Sequence, residues 1–499
     1  MSTQNRLDRE VFMQDRDISV DSVPTAEETA LAGLGVAAAA AAIRQGEITS
    51  VSYSAALLRR ARKYSDLNSF ITVDESAVLT AAAEADKARA AGSSAPLLGV
   101  PLGVKDSYLT RGLPTTIGLD GLASFTPAED ADVVGAVKDA GGIVFGKNNL
   151  VEMSFGLTGH NRRYGQVKNP YGHDRVSGGS SSGSGAAVAA RIVPAAFGGD
   201  TVGSIRVPAS LSGVVGFKPT TGRWLRGGVA PISHTLDTPG VFARSVEDCA
   251  LIDRIVTGET GAPPSDRADL KGVRFAYAPS HYLQLIDPET EAQFTSALHR
   301  LRDAGAEVRE IDLGDDFSPL ADRLTWNLFF RETQQSVSEF LLRHNFPVSF
   351  EDVFTELKPE LKEVWSHLVL PSGQGFLPDE AYETTLSVDR PELQRRLGEV
   401  YTRSGFDALI FPTTPCPAPL IDGRPRVTVA DEEVDELVLA RNTVPTSGAG
   451  LPGISIPLGL TENGLPIGIE IDGAHGRDRE LLDLARRAQD VLGTVPAPA

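Results

Sequence analysis

Three segments of this 499-residue chain carry residues able to move protons or attack a carbonyl. Gly99-Val-Pro-Leu-Gly-Val-Lys-Asp106 ends an apolar run on a lysine, and burial at such a place favours the neutral amine, which is a base. Gly178-Gly-Ser-Ser-Ser-Gly-Ser-Gly185 supplies hydroxyls without bulk. In Asp200-Thr-Val-Gly-Ser-Ile-Arg-Val-Pro208 a small residue precedes a serine. A turn of that kind can aim consecutive backbone N–H groups at one point, as an oxyanion hole requires. Asp200 and Arg206 flank the serine with opposite charge and can lock the loop. A hydroxyl activated by a neutral amine is an acyl-transfer nucleophile. Each segment alone also has a plain structural reading: a lysine reaching solvent, a linker, an ion pair around a turn.

Other chemistries find less support. Gly179-Ser-Ser-Ser-Gly183 formally matches G-x-S-x-G, with Ser181 as nucleophile and a late histidine such as His475 as base. A nucleophile elbow needs a strand immediately before it, whereas Asn169 to Ser177 is polar and turn-like. No S-x-x-K motif occurs. The eight histidines contain no H-E-x-x-H, and no phosphate-loop or convincing dinucleotide fingerprint is present. Cys249 and Cys416 are too few for a disulfide framework or a thiolate metal site, which fits a reducing compartment. A net charge of −19 disfavours phosphate backbones and anionic lipid. Hydrophobic residues at 41% and charged residues at 23% are ordinary for a globular chain, so long disorder, coiled coil and fibrous repeats drop out. Leu31 to Ile43 is too short to span a bilayer and follows Glu27 and Glu28, so it reads as a helix in a cytoplasmic protein.

The elements that must position these residues follow from the pattern. Thr25-Ala-Glu-Glu28 has the form of a capping box, and the Ala-rich stretch after it predicts a helix to Gln45, stopped by Gly46. Helices are expected at Ser52 to Tyr64 and Asp74 to Ala91, then a buried strand at Leu97 to Val104. A helix at Asp132 to Ala140 and a strand at Ile143 to Gly146 continue a β/α alternation, which argues for an α/β fold with a mostly parallel sheet. Ala186 to Ala190 reads as a tight helix buried on every face, so the Gly/Ser tract is internal rather than a linker. Ser245 to Val256 is a further helix, and Gly258 to Lys271 reads as a surface connection. From Val273 to Gly405 the chain carries the larger aromatics, Trp326, Phe329, Phe330, Phe340 and Trp365 among them. Ala408 to Phe411, Gly453 to Leu458 and Ile467 to Ile471 read as core strands, and Asp478 to Leu492 as a closing amphipathic helix.

The three segments, in this order and at these separations, resemble the amidase signature family. Gly146-Lys-Asn-Asn with Glu152, Gly216-Phe-Lys-Pro219 and Phe411-Pro-Thr-Thr414 extend the resemblance over nearly the whole chain. It implies an α/β fold, a mixed, mostly parallel central sheet with helices on both faces. It also implies one catalytic domain, with its core at about 70–260 and 405–499, N-terminal helices over 1–70 and a variable, largely helical substrate side at about 261–404. By motif, Lys105 is similar to the family's base, Ser180 to its bridging serine with a cis peptide bond before or at it, and Ser204, 24 residues on, to its nucleophile. The N–H groups of Thr201, Val202, Gly203 and Ser204 correspond to its oxyanion hole, with Ser181, Asp200 and Arg206 in support. No metal or organic cofactor is implied. The expected partner is a small-molecule amide, not nucleic acid or membrane, and the resemblance leaves room for a homodimer.

Three departures stand out. Val202 replaces a common Gly, and a β-branched residue rules out a comfortable positive φ, so the loop must reach its donors through ordinary backbone angles. Ser182 stands where Gly is common, and Gly199 where Thr is common. Gly227 to Pro239 and Asn442 to Gly473 look most like the indoleacetamide and mandelamide hydrolase branch, whose members cleave arylacetic primary amides to acid and ammonia. Anilide, carbamate and hydrazide hydrolases, the A-type component of an amidotransferase, and a Ser-His-Asp α/β-hydrolase are the alternative activities; a non-catalytic scaffold is disfavoured because all three triad positions are filled.

Overall fold

A computed structural model describes residues 25–261, 267–423 and 426–498. The apolar runs align as an eleven-stranded sheet. In chain order its strands are Phe70–Thr72 (β1), Pro101–Lys105 (β2), Ile143–Asn148 (β3), Ala195–Asp200 (β4), Val215–Lys218 (β5) and Thr238–Ala243 (β6). Arg274–Tyr277 (β7), Glu307–Glu310 (β8), Ala408–Pro412 (β9), Gly453–Leu460 (β10) and Pro466–Asp472 (β11) complete it. The spatial order is β1-β3-β2-β4-β6-β5-β10-β11-β9-β7-β8. The sheet is mixed. Parallel pairing occupies two blocks, β3-β2-β4 and β9-β7-β8, where helical crossovers return the chain in the same direction. Between them, from β4 to β9, neighbours run antiparallel.

The first parallel block positions the chemistry. Gly103 pairs with Ala196 and Val104 with Phe197, so Lys105 and Asp200 lie at the carboxyl ends of adjacent parallel strands, where α/β sheets place their ligands. Two short helices follow from the same segments, Ser182–Ala189 (α1) and Arg206–Ser212 (α2), and every residue of both is buried. The small side chains of α1 let its backbone approach its neighbours. A side chain at Gly183 would run into the Ser69 carbonyl and the Asn149 backbone. The long helix Phe317–Arg343 (α3) carries Trp326, Phe329 and Phe330, which pack with one another and with Phe155. Asp478–Leu492 (α4) closes the chain as expected.

The largest revision concerns the N-terminus. The capping box at Thr25 forms, but the helix it starts ends at Gly33, and a second helix, Val36–Gln45, leaves at 114°. Two glycines with low helix propensity bracket the break. Asp248 occupies the space a Gly35 side chain would need, and its Oδ1 accepts from Ala37 N at 2.8 Å. Leu97 to Val100 is not strand: Gly99 has φ +73° and its carbonyl accepts from Ser50 Oγ at 2.7 Å. The other expected helices and strands form within a few residues of their expected ends. Residues 262–266 of the expected connection Gly258 to Lys271 lie outside the described residues. Among the described residues no single helix is long and apolar enough to cross a membrane.

Candidate active site

Lys105 is fully buried at the end of β2, and its Nζ donates to Ser180 Oγ at 2.8 Å. Burial pushes its pKa down to about 7, against the charges of Asp237 and Asp200, which favour the ammonium. At pH 7.5 a large share of the amine is therefore neutral, with a lone pair able to take the Ser180 proton. The peptide bond Gly179–Ser180 is cis. Ser180 itself lies between this turn and α1, and its carbonyl accepts from Val151 N at 3.2 Å.

Ser204 is brought to the same place by backbone pairing: its carbonyl accepts from Ser181 N at 3.3 Å. Among the described residues no hydrogen bond joins the Ser180 and Ser204 hydroxyls. Ser181 sits at the start of α1, where its Oγ donates to the Gly199 carbonyl and accepts from Gly199 N, each at 3.2 Å. That hydroxyl is committed to β4. His475 is exposed in the turn before α4, and the strand preceding the Gly/Ser tract, Gly172–Val176, belongs to a separate two-stranded hairpin. Neither feature suits a nucleophile elbow.

The loop from Thr201 to Ser204 reaches its shape through Gly203, whose φ is +144°, while Val202 stays out of the left-handed region. Gly203 lies against Thr443, and Thr443 Oγ1 donates to the Val202 carbonyl at 2.6 Å. Behind the loop, Asp200 and Arg206 are both fully buried and paired through two bonds of 3.0 Å. Arg206 also reaches Glu470 at 3.2 Å, the Thr443 carbonyl at 3.1 Å and Ser447 Oγ at 2.7 Å. Burial alone would raise the Asp200 carboxyl, but the Arg206 guanidinium overrides it and holds the group below its usual range. The 442–447 segment thus buttresses the loop from behind. Thr201 Oγ1 donates to Asp237 Oδ1 at 2.7 Å.

Two cavities meet at this site. One, about 270 Å³, is lined by Lys105, Ser180, Thr201, Asp237 and the 227–232 loop. The other, about 220 Å³, is lined by Ser204, Val202, Phe155, Trp326, Phe329 and Phe330. Ser154, with φ +63°, lines both. Of the aromatics expected from the sequence, α3 delivers Trp326, Phe329 and Phe330 to the cavity beside Ser204. Phe340 lines the cavity beside Lys105, and Trp365 is buried, stacked on Phe350. Among the described residues no group of three or more His, Cys, Asp or Glu side chains is placed to hold a metal ion.

Sequence reasoning did not single out Ser154, Asp237, Thr443 or Glu470. Thr443 and Glu470 act across more than 240 positions, and no local pattern marks them. Asp237 stood inside the Gly227 to Pro239 segment, where nothing in its immediate neighbours distinguished it from an ordinary turn residue.

A family model described as Amidase matches residues 53–482. The mandelamide hydrolase of Pseudomonas putida is 36% identical over 474 residues, covering 92% of both chains. The indoleacetamide hydrolase of Pseudomonas savastanoi is 34% identical, covering 91% of this chain and 96% of its own. The A-type component of the glutamyl-tRNA(Gln) amidotransferase of Roseiflexus castenholzii is also 34% identical, covering 93% and 96%. A crystal structure of an amidase superposes with a TM-score of 0.81 at 30% identity, over 92% of this chain and 100% of that one.

Proposed function

The chain belongs to the amidase family of hydrolases that act on amide C–N bonds, and on that premise we propose that it converts an arylacetamide-type primary amide to the acid and ammonia through an acyl-enzyme on Ser204. The observation that carries this reading is the buried Lys105–Ser180 bond, with Ser204 facing an aromatic-lined cavity beside it. Neutral Lys105 takes the Ser180 proton while Ser180 takes the Ser204 proton, and Ser204 Oγ attacks the carbonyl. The N–H groups of Thr201 to Ser204 receive the oxyanion. The relay returns a proton to the leaving nitrogen, and ammonia departs. Water, deprotonated through the same groups, then releases the carboxylic acid and restores Ser204. A flat aromatic acyl group suits the faces and edges of Trp326, Phe329 and Phe330.

The test is ammonia or amine release by the purified chain across aryl, arylacetyl, aliphatic, anilide and carbamate substrates. Arylacetamides should lead in kcat/KM; a lead of orders of magnitude for anilides or carbamates overturns the substrate class. Phosphonate labelling should place the adduct on Ser204, and an adduct on Ser181 would overturn the nucleophile. The likeness to an amidotransferase component supports a second reading, ammonia supply to a partner. Efficient hydrolysis by the isolated chain, uncoupled from any acceptor, decides against it.

A further inference from the structure

The segment from Pro231 to Thr238 is a turn gripped from two sides. Inside it, Asp237 Oδ2 accepts from Ile232 N at 2.8 Å and Ser233 N at 3.0 Å. From outside, Glu332 on α3 accepts from Ser233 Oγ, from Thr235 N at 3.0 Å, from Thr235 Oγ1 at 2.6 Å and from Tyr382 OH at 2.7 Å. With Oδ2 occupied by the turn, the other oxygen of Asp237 remains for Thr201 Oγ1 at 2.7 Å. Thr201 begins the loop to which the proposed mechanism gives the oxyanion. An ordinary turn aspartate caps backbone N–H groups and stops there. This one also reaches the donor loop and lines the cavity that holds Lys105 and Ser180.

We propose that Asp237 is a positioning residue for acyl transfer, fixing the Thr201 end of the oxyanion loop while presenting a negative charge to Lys105. The inference rests on the reading of Lys105 as base and Ser204 as nucleophile. Of the charges acting on Lys105, Asp237 is the foremost and Asp200 the next, both favouring the ammonium. Burial in turn raises the Asp237 carboxyl to about 6, opposed by the Thr201 hydroxyl, the Ile232 and Ser233 amides and the Arg226 charge. His234, Glu339, Arg343 and His344 line the same cavity. The signs oppose each other usefully. Asp237 orders the electrophile's donors, which raises the rate, and it makes Lys105 easier to protonate, which moves the acid limb upward in pH. Because α3 carries both Glu332 and the aromatic wall, the turn that holds Asp237 is tied to the surface that meets the acyl group.

The experiment is the kcat/KM profile from about pH 5 to 10 for wild type, Asp237→Asn, Asp237→Glu, Thr201→Val and Lys105→Ala, with folding checked by circular dichroism. On the best substrate of wild type, whatever its acyl group, Asp237→Asn should lower the alkaline plateau about 10- to 100-fold. It should also shift the acid limb down by roughly half a pH unit or more. Thr201→Val should lower the plateau about 10-fold and move the limb less than Asp237→Asn does, since the carboxylate is kept although the Thr201 hydroxyl that opposes its upward shift is gone. Asp237→Glu, with its charge kept and its reach changed, should behave like Thr201→Val. The double variant Thr201→Val with Asp237→Asn should lose no more plateau rate than Asp237→Asn alone. A limb that stays put or rises in Asp237→Asn overturns the electrostatic role, and a plateau within twofold of wild type in Thr201→Val overturns the positioning role even if Asp237→Asn fails to fold. A Lys105→Ala variant within tenfold of wild type on the plateau overturns the parent reading instead, so the two failures are distinct.

Discussion

Lys105 and Lys147 sit on the neighbouring strands β2 and β3, and both are fully buried. Their surroundings differ. Lys147 Nζ lies 3.0 Å from Asp106 Oδ1 and donates to the Tyr108 carbonyl and Thr115 Oγ1, each at 2.8 Å. Burial lowers its pKa, and Asp106 opposes that shift from direct contact. Among the described residues Lys105 has a single side-chain hydrogen-bond partner, the Ser180 hydroxyl, and the carboxylates that oppose its desolvation act across a cavity rather than in contact. One lysine sits against a carboxylate and two oxygen acceptors that favour its charged form. The other is an amine kept close to neutrality. A buried lysine can serve as a base when its neighbours withhold compensation, which is the role proposed for Lys105 and not for Lys147.

The largest expected effect separates the two by activity. Lys105→Ala should lose about 10³-fold or more in kcat/KM while staying folded, as circular dichroism and single-turnover kinetics will show; a variant within tenfold of wild type removes Lys105 from the relay. Lys147→Met inverts the pattern. It leaves Asp106 buried and uncompensated, at a cost of about 3 to 5 kcal/mol in urea unfolding, and the enzyme that remains folded should keep the wild-type acid limb. A limb displaced by a pH unit in Lys147→Met would mean that the two lysines titrate as one system.

Third in size is the limb itself. Below pH 7 Lys105 takes up its proton, so kcat/KM should level off above about 8, fall by about tenfold per pH unit between about pH 7 and 6, and fall more steeply below about 6, where Asp237 also takes up its proton. His475→Ala and added chelator should change neither the limb nor the plateau, and a chelator-sensitive rate would reassign the base. The smallest effect belongs to Ser181→Ala, which removes a hydroxyl bonded to the Gly199 backbone. It should cost about 1 kcal/mol in unfolding and leave kcat/KM within several-fold of wild type. A loss comparable to that of Ser204→Ala would revive the G-x-S-x-G reading.

Much of this was legible before any coordinate. The internal Gly/Ser tract and the Asp200–Arg206 pair stand on local motifs, because each depends on residues a few positions apart or on small side chains that permit close backbone contact, whereas the meeting of Lys105 with Ser180, 75 positions on, was expected only from the family resemblance. Val202 keeps ordinary angles, as its β-branched side chain requires, because Gly203 beside it takes the unusual φ. The break at Gly33 to Gly35 was not legible, since helix propensity is summed locally whereas Asp248, far along the chain, fills the space that decides it. Thr443, Glu470 and Asp237 escaped in the same way. Their roles lie in partners brought together by the sheet, and a serine, threonine or carboxylate in a turn looks alike whether or not a catalytic loop lies behind it. The separation of the site into two cavities was likewise invisible, because it depends on α3 lying across both.

The composition of α1 bears on how such an enzyme can diversify. The wall of the site that holds Ser180 is backbone pressed on backbone, with no side chain larger than valine and no room at Gly183 for a methyl group. Enlarging substitutions there meet peptide groups, which cannot repack as side chains do. The wall of the cavity beside Ser204 is built from Trp326, Phe329 and Phe330 on α3, whose side chains exchange volume readily. New acyl specificities should therefore accumulate on one side of the site while the other stays fixed, so a library aimed at changing the substrate belongs on α3 and not on the serine-rich helix.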